Sequence, residues 1–208
     1  MSKQQTLKAS CSLKGKGLHN GKEVNITFRP AAENHGIIFK RIDVEKDNLI
    51  PASAELVIET TRGTVISNKQ GVKIKTIEHV MSSLSGLQID NVLIEVDGEE
   101  IPILDGSALK YIQKLEQAGI CEQEAERKVY ELKEVINWKD PNSDIEITAI
   151  PCDTFKVSVL VDYKTKVLGQ QYAELQNISD FAKEIAPSRT FCFLHEILPL
   201  IQANLIKG

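Results

Sequence analysis

The sequence predicts an α+β fold in two parts, and three observations carry that prediction. Runs of strand length, rich in branched residues, occur over residues 6–67 and again over 129–175. Each set is followed by stretches whose apolar residues recur at helical spacing. Between the two sets lies a polar, charged stretch, Cys121-Glu122-Gln123-Glu124-Ala125-Glu126-Arg127-Lys128, of linker length. Strands followed by helices, in that order and repeated, fit α+β architecture. The expected division is a first domain over 1–122, a linker over 123–128 and a second domain over 129–208.

The elements follow in order. Residues 6–13 and 23–29 read as extended segments, separated by a loop rich in Gly and Lys, and 36–41 is a further short strand. Segments 56–59 and 64–67 flank Thr60-Thr61-Arg62-Gly63, a hairpin turn by composition. Ile77, Val80, Met81 and Leu84 fall at i, i+3, i+4 and i+7, the apolar face of a helix. Thr76 is its expected N-cap and Gly86 its expected stop. A strand over 89–96 ends at Asp97-Gly98, a turn signal. Ser107 is placed to cap a second helix with apolar face Ala108, Tyr111, Ile112, Leu115 and Ala118, closed by Gly119. In the second half, strands are expected over 129–138, 145–150, 155–163 and 170–175. A helix opened by Ser179 and a final helix from Leu194, interrupted at Pro199, complete the reading.

Bulk properties exclude several classes. Of the 208 residues, 42% are hydrophobic and 26% charged, an ordinary globular balance that can bury a core. The net charge of −4, with Lys interleaved among Glu and Asp, argues against a nucleic-acid partner. No apolar run approaches the roughly 20 residues that span a bilayer. The N-terminus lacks the apolar region of a secretory signal. Cys11, Cys121, Cys152 and Cys192 are scattered without a CxxC pair, as expected of reduced thiols in a cytoplasmic protein.

Chemistry concentrates at Glu78-His79. The pair lies off the apolar stripe in the first turn of its helix, where the positive helix end favours a carboxylate and disfavours a protonated imidazole. An ionised carboxylate beside a neutral imidazole suits a general base next to a metal ligand. On spacing alone, a solvated helix start is the better account of such a pair. His195-Glu196 does not open a His-Glu-x-x-His zinc motif, because Pro199 stands where the second His belongs. His195 therefore reads as a helix-surface residue and His35 as a loop residue. The three glycines of 15–21 fit neither a P-loop nor the dinucleotide fingerprint. No Gly-x-Ser-x-Gly elbow occurs. Cys192, between Phe191 and Phe193, is expected to be buried and inert.

Four segments taken together carry a resemblance. They are Gly15-Lys16-Gly17-Leu18-His19-Asn20-Gly21, Lys75-Thr76-Ile77-Glu78-His79-Val80, Glu100-Ile101-Pro102-Ile103-Leu104-Asp105-Gly106-Ser107, and Ser188-Arg189-Thr190-Phe191-Cys192-Phe193. In order and spacing they resemble the UDP-3-O-acyl-N-acetylglucosamine deacetylases, the LpxC family, from near residue 6 to the end of the chain. The resemblance implies two similar α/β domains, each a sheet with helices, the helices sandwiched between the two sheets. It implies removal of the 2-N-acetyl group from a UDP-linked, 3-O-acylated glucosamine, the committed step toward lipid A in Gram-negative bacteria, with Zn2+ as cofactor. By the same resemblance His79 is a zinc ligand and Glu78 the base that activates water. Thr190 is the hydroxyl facing the oxyanion, a kind of donor worth roughly 3 kcal/mol. His19 lies at the site in a supporting role, and Leu18 and Phe191 form apolar walls for the substrate. Asp105 lies in a matching motif that the turn into the second helix explains equally well.

Two further zinc ligands of the family, a His and an Asp four residues apart, and its histidine general acid fall past the position matching Gly208. A catalytic zinc usually takes three protein ligands plus water. The expectation is a fragment of a longer enzyme, inactive in isolation and with apolar surface exposed in its second domain. Some members of the family are fused to a hot-dog dehydratase acting on acyl carrier protein substrates, which here would follow residue 208. The alternative is a non-catalytic α+β module that binds a nucleotide-sugar or a partner without metal.

Overall fold

The computed structural model describes residues 2–202 and 207. Along the chain β1 (Lys3–Leu7), β2 (Cys11–Lys16), β3 (Glu23–Pro30), β4 (Ile37–Arg41) and β5 (Leu49–Pro51) come first. They are followed by β6 (Val57–Glu59), β7 (Val65–Ser67), β8 (Lys73–Lys75), α1 (Glu78–Gly86), β9 (Val92–Val96), α2 (Leu109–Ala118) and β10 (Ile120–Glu126). The mixed α+β class predicted from sequence is observed.

The central sheet runs β2-β3-β9-β4-β5. All its neighbours are antiparallel except β4 and β9, which are parallel. Strict alternation selects one face for the core. Val24, Ile26 and Phe28 of β3 point inward, and the register sets Phe28 and Phe39 on either side of Ile94, all fully buried. On the opposite face Glu95 sits between Arg29 (2.5 Å) and Lys40 (3.5 Å). Both helices contribute to the same core. Val80 and Leu84 of α1 and Tyr111 and Leu115 of α2 are buried in it, with Tyr111 edge-on to Phe28 at 6.3 Å. The Tyr111 hydroxyl donates to the Pro102 carbonyl, and burial pushes its pKa well above the ordinary phenol value. The hairpin expected around Thr60-Thr61-Arg62-Gly63 is present as β6–β7, with β8 added to its edge.

The helix ends depart from the expected rules at both ends of α1 and at the start of α2. Thr76 does not cap α1. It is buried with φ +61°, and its hydroxyl bonds to Glu100 instead. Gly86 lies inside α1, and the left-handed residue after the helix is Gln88 (φ +57°). Glycine at 86 serves close packing, since a Cβ there would lie 2.1 Å from the ring of Phe181. In α2 the cap position is Ala108, not Ser107, although the Leu109 amide still donates to Ser107 Oγ (3.2 Å) one residue ahead of it, and Gly119 closes the helix at φ +75° as expected.

The polar stretch assigned to a linker, 123–128, is for the most part strand. β10 pairs antiparallel with β1, with Lys3 opposite Glu126 and Leu7 opposite Ile120. Its half-buried positions Gln123 and Ala125 alternate with exposed Glu122, Glu124 and Glu126, and hydrogen bonds replace apolar burial. The Gln123 amide donates to the Ala31 carbonyl, and its oxygen accepts from buried Asn91. Composition hid the strand because four of its seven residues are Glu or Gln and the inward Gln123 is satisfied only by neighbours distant in sequence.

Beyond residue 128 the strands are hairpins: β11 (Ile136–Lys139) with β12 (Glu146–Ala149), and β13 (Val157–Asp162) with β14 (Gln170–Leu175). The long strand expected over 129–138 forms only at its end. A 3-10 turn (Ile178–Asp180) leads into α3 (Phe181–Glu184), and α4 (Leu194–Gln202) carries Pro199 within it. Among the described residues of this region only Leu175, Phe181, Ala186 and Leu200 are buried apolar side chains. The region meets the first through Phe181 against Gly86, the Ala108 amide on the Ala186 carbonyl (3.1 Å) and an antiparallel bridge between Ser107 and Arg189. Among the described residues no helix is long and apolar enough to cross a membrane.

Candidate functional site

Glu78 and His79 occupy the first turn of α1, both half-buried. Glu78 Oε2 accepts the Thr64 amide at 2.9 Å, so one carboxylate oxygen is fixed by the β6–β7 turn. Gly63 leaves room for this approach. A side chain there would begin 3.1 Å from Glu78 Oε1, at a backbone φ of +150° that favours glycine. The His79 carbonyl accepts the hydroxyls of Ser82 and Ser83, and no described residue hydrogen-bonds to its imidazole.

His19 is brought to the same turn from the other side. The 17–21 loop is closed by the Gly17 amide on the Lys22 carbonyl and the Gly21 amide on the Gly17 carbonyl, both 3.0 Å. His19 Nε2 lies 3.3 Å from the Arg62 carbonyl, a bond made by the tautomer protonated at Nε2. Glu78 and His19 thus both rest on the turn over residues 60–64, although they are far apart in sequence. The residue that holds the loop itself is Glu100, 1% exposed. Its carboxylate accepts the amides of His19 (2.8 Å) and Asn20 (2.9 Å). Leu18 is half-buried on this loop, and its carbonyl accepts the Lys207 amide at 3.0 Å.

Thr190 and Phe191 are exposed and arrive by a different route. The Thr190 amide donates to the Gly106 carbonyl at 2.9 Å, which fixes the segment against the turn before α2. Asp105 builds that turn: its Oδ1 accepts the Ser107 amide (3.2 Å) and hydroxyl (2.8 Å). Burial pushes the Asp105 carboxyl up, but the two Ser107 bonds outweigh it and hold the pKa below the usual value. Phe191 packs against Tyr163 (5.6 Å) and Phe193 (5.7 Å). With Val159, Val161, Leu168 and Tyr172, Tyr163 and Phe191 line an apolar depression of about 370 Å³. Among the described residues no hydrogen bond joins Thr190 or Phe191 to Glu78, His79 or the 60–64 turn. The larger depression, about 490 Å³, is lined by Met81, Gln88, Asp90, Arg127 and Phe155 among others and contains none of these candidates.

The donors can be tested against zinc. His79 offers an imidazole, and one Glu78 oxygen is already committed to Thr64. The described residues contain no group of three His, Cys, Asp or Glu side chains able to hold a metal ion. One imidazole falls short of the three protein ligands of a catalytic zinc. The described residues therefore do not by themselves form a zinc site.

Other expectations fall either way. His195 is exposed on α4 and stacks on Phe193 at 5.5 Å, and His35 is a loop residue, as read from sequence. Cys192 is exposed, not buried. Its flanking aromatics lie on an uncovered face, so an apolar neighbourhood in sequence did not become a buried one. Sequence reasoning gave no role to Glu100, Arg62 or Thr64. Glu100 stood inside one of the four resembling segments, but only tertiary contacts show what it holds.

A family model described as LpxC, UDP-3-O-acyl N-acetylglycosamine deacetylase, matches residues 4–208. The chain is 49% identical over 208 residues to the bifunctional enzyme LpxC/FabZ of Bacteroides thetaiotaomicron, covering 100% of this chain and 45% of that protein. It is 47% identical over 208 residues to the protein of the same name from Porphyromonas gingivalis, again covering 45% of it. To the UDP-3-O-acyl-N-acetylglucosamine deacetylase of Myxococcus xanthus it is 38% identical over 206 residues, 99% of this chain and 65% of the relative. The chain thus spans under half the length of the first two relatives and about two thirds of the third. With a matched model over nearly all its length and the motif segments in place, the chain belongs to the UDP-3-O-acyl N-acetylglycosamine deacetylase family.

Proposed function

We propose that this chain forms the part of a zinc-dependent amide hydrolase that carries its general base, and that the whole enzyme removes the 2-N-acetyl group of a UDP-linked, 3-O-acylated glucosamine in lipid A biosynthesis. The observation that carries the reading is the Glu78-His79 pair at the start of α1, with Glu78 anchored by the Thr64 amide and His19 on the same turn. A carboxylate held by one oxygen keeps the other for a proton, which is the geometry a general base needs. Glu78 takes the proton of the attacking water. Thr190, exposed and fixed at its backbone, offers a hydroxyl to the oxyanion, while Leu18 and Phe191 supply apolar wall for the acyl chain.

His79 is the one zinc ligand among the described residues, so the reading requires two more donors from elsewhere in the enzyme. Zinc supplies a polarised carbonyl and an acidified water when bound. The described residues by themselves hold zinc weakly and do not turn over. The setting is the cytoplasm of a Gram-negative bacterium. The relatives named LpxC/FabZ support a second enzyme domain, a dehydratase, on the same polypeptide.

The test is acetate release from the UDP-sugar by the full-length enzyme, together with its zinc content. Glu78→Ala is expected to lower turnover by about 10²–10⁴-fold with zinc retained. His79→Ala is expected to lose the metal. Full activity in Glu78→Ala, or wild-type enzyme without zinc, would instead favour a non-catalytic nucleotide-sugar-binding module.

A further inference from the structure

Glu100 is a buried carboxylate that the proposed chemistry does not use. It is 1% exposed, and none of the ion pairs among the described residues includes it. A buried carboxylate persists when hydrogen bonds replace its water, and Glu100 accepts three. Oε1 takes the His19 amide at 2.8 Å and the Thr76 hydroxyl at 3.3 Å, and Oε2 takes the Asn20 amide at 2.9 Å. The backbone has been shaped to it. Thr76 adopts φ +61°, a conformation that L residues rarely take, immediately before α1. A Cβ at Gly17 would lie 2.5 Å from Glu100 Oε2 and would push the carboxylate out of place.

These bonds close a ring. From Glu100 it passes through Thr76 to the start of α1, then from Glu78 to the Thr64 amide. It continues round the 60–64 turn to the Arg62 carbonyl, across to His19 Nε2, and back through the His19 amide to Glu100. Both groups that face the reacting centre, Glu78 and His19, are members of this ring. We propose that Glu100 is a positioning residue that sets the His19 imidazole relative to the Glu78 carboxylate. This assignment rests on the deacetylase reading for its kinetic consequence, but not for its geometry.

The carboxylate chemistry makes the proposal testable by a near-isosteric change. Glu100→Gln presents an N–H₂ group to one of two backbone amide donors, so one of the His19 and Asn20 bonds is lost while volume is kept. In the full-length enzyme the expected result is a fall in kcat of about tenfold to hundredfold with KM changed little, because a displacement of about 1 Å costs that much in an oriented site. The decisive arm is a double-mutant comparison. If Glu100 acts through His19, Glu100→Gln added to His19→Ala costs little further activity. Independently of activity, the ring resonances of His19 in histidine-labelled protein should move in Glu100→Gln and shift back toward wild type in Glu100→Asp, which keeps both acceptors. Unmoved His19 resonances in a folded Glu100→Gln protein, or additive losses in the double mutant, would overturn the proposal. Moved resonances in an enzyme whose wild type releases no acetate would leave the positioning role standing and remove the deacetylase reading.

Discussion

The two halves of this molecule use the same kind of strand sequence and reach different ends. In β3, Val24, Ile26 and Phe28 alternate with polar residues and are buried under α1 and α2. In β13, Val157, Val159 and Val161 line one face opposite Ser158, Leu160 and Asp162, yet all six are exposed. Trp138, Ile147 and Tyr172 on the neighbouring strands are exposed as well. The difference is not propensity, since all these strands form and pair in register. It is the second layer. A sheet face gains free energy from burial only where another element removes it from water, at roughly 25 cal/mol per Å² of apolar surface. The first region has that layer in its own helices. Among the described residues past 128, α3 covers only a little of the hairpins, and its contact with the first region turns on Phe181 over Gly86.

That contrast can be broken or sharpened experimentally. Phe28→Ala should have the largest effect, a loss of about 3–5 kcal/mol, because it empties the centre of the packed sheet under Tyr111. Denaturant titration reads this as a lower midpoint. Gly86→Ala acts at the seam between the regions. The added methyl meets the Phe181 ring, and the clash outweighs the helix-propensity gain of about 1 kcal/mol, for a net loss of about 1–2 kcal/mol. Hydrogen exchange at Ile185 and Ala186 should speed up. Phe181→Ala should relieve the clash, so that the double variant is no less stable than Phe181→Ala alone.

A smaller effect is expected at Glu95. The Arg29 hydrogen bond, opposed by burial and reinforced by the charges of Arg29 and Lys40, holds its pKa below the usual glutamate value. A depressed folded pKa means stability that is present above the ordinary glutamate pKa and is lost as pH falls through the lowered one. With Arg29 half exposed, the contribution is screened to about 0.5 kcal/mol. In Glu95→Gln that part of the acid dependence should disappear. The smallest effect belongs to Trp138→Ser, whose side chain is already 51% exposed. In the 208-residue chain its stability should stay within about 0.5 kcal/mol of wild type. A larger loss would show that the hairpin is covered by another layer and would end the contrast.

Local rules read the elements where local physics decides them. Gly119 ends α2, and the Ser107 hydroxyl takes the Leu109 amide just before its start, because a positive-φ glycine and a local hydroxyl bond act within a few residues. The Thr60-Thr61-Arg62-Gly63 turn was legible for the same reason. Thr76 and Gly86 misled because each looks like a helix signal and serves a distant partner, Glu100 and Phe181 respectively. Of the candidate site, Glu78, His79 and His19 were visible as residue types in recognisable segments. The convergence of Glu78 and His19 on one turn was not, since no periodicity links positions 19, 62, 64 and 78.

By itself, then, the sequence determined most of the strands and helices, the α+β class and which residue types are available for acid–base and metal chemistry. Those depend on propensity, alternation and capping, which act over a few residues. Only the tertiary structure decided that β10 is an edge strand and not a linker, that Cys192 lies in the open, and that Glu100 joins the His19 loop to the start of α1. The physical reason is common to all three. Whether a polar group is satisfied or an apolar one covered depends on neighbours contributed by remote parts of the chain, and only the folded molecule brings them together.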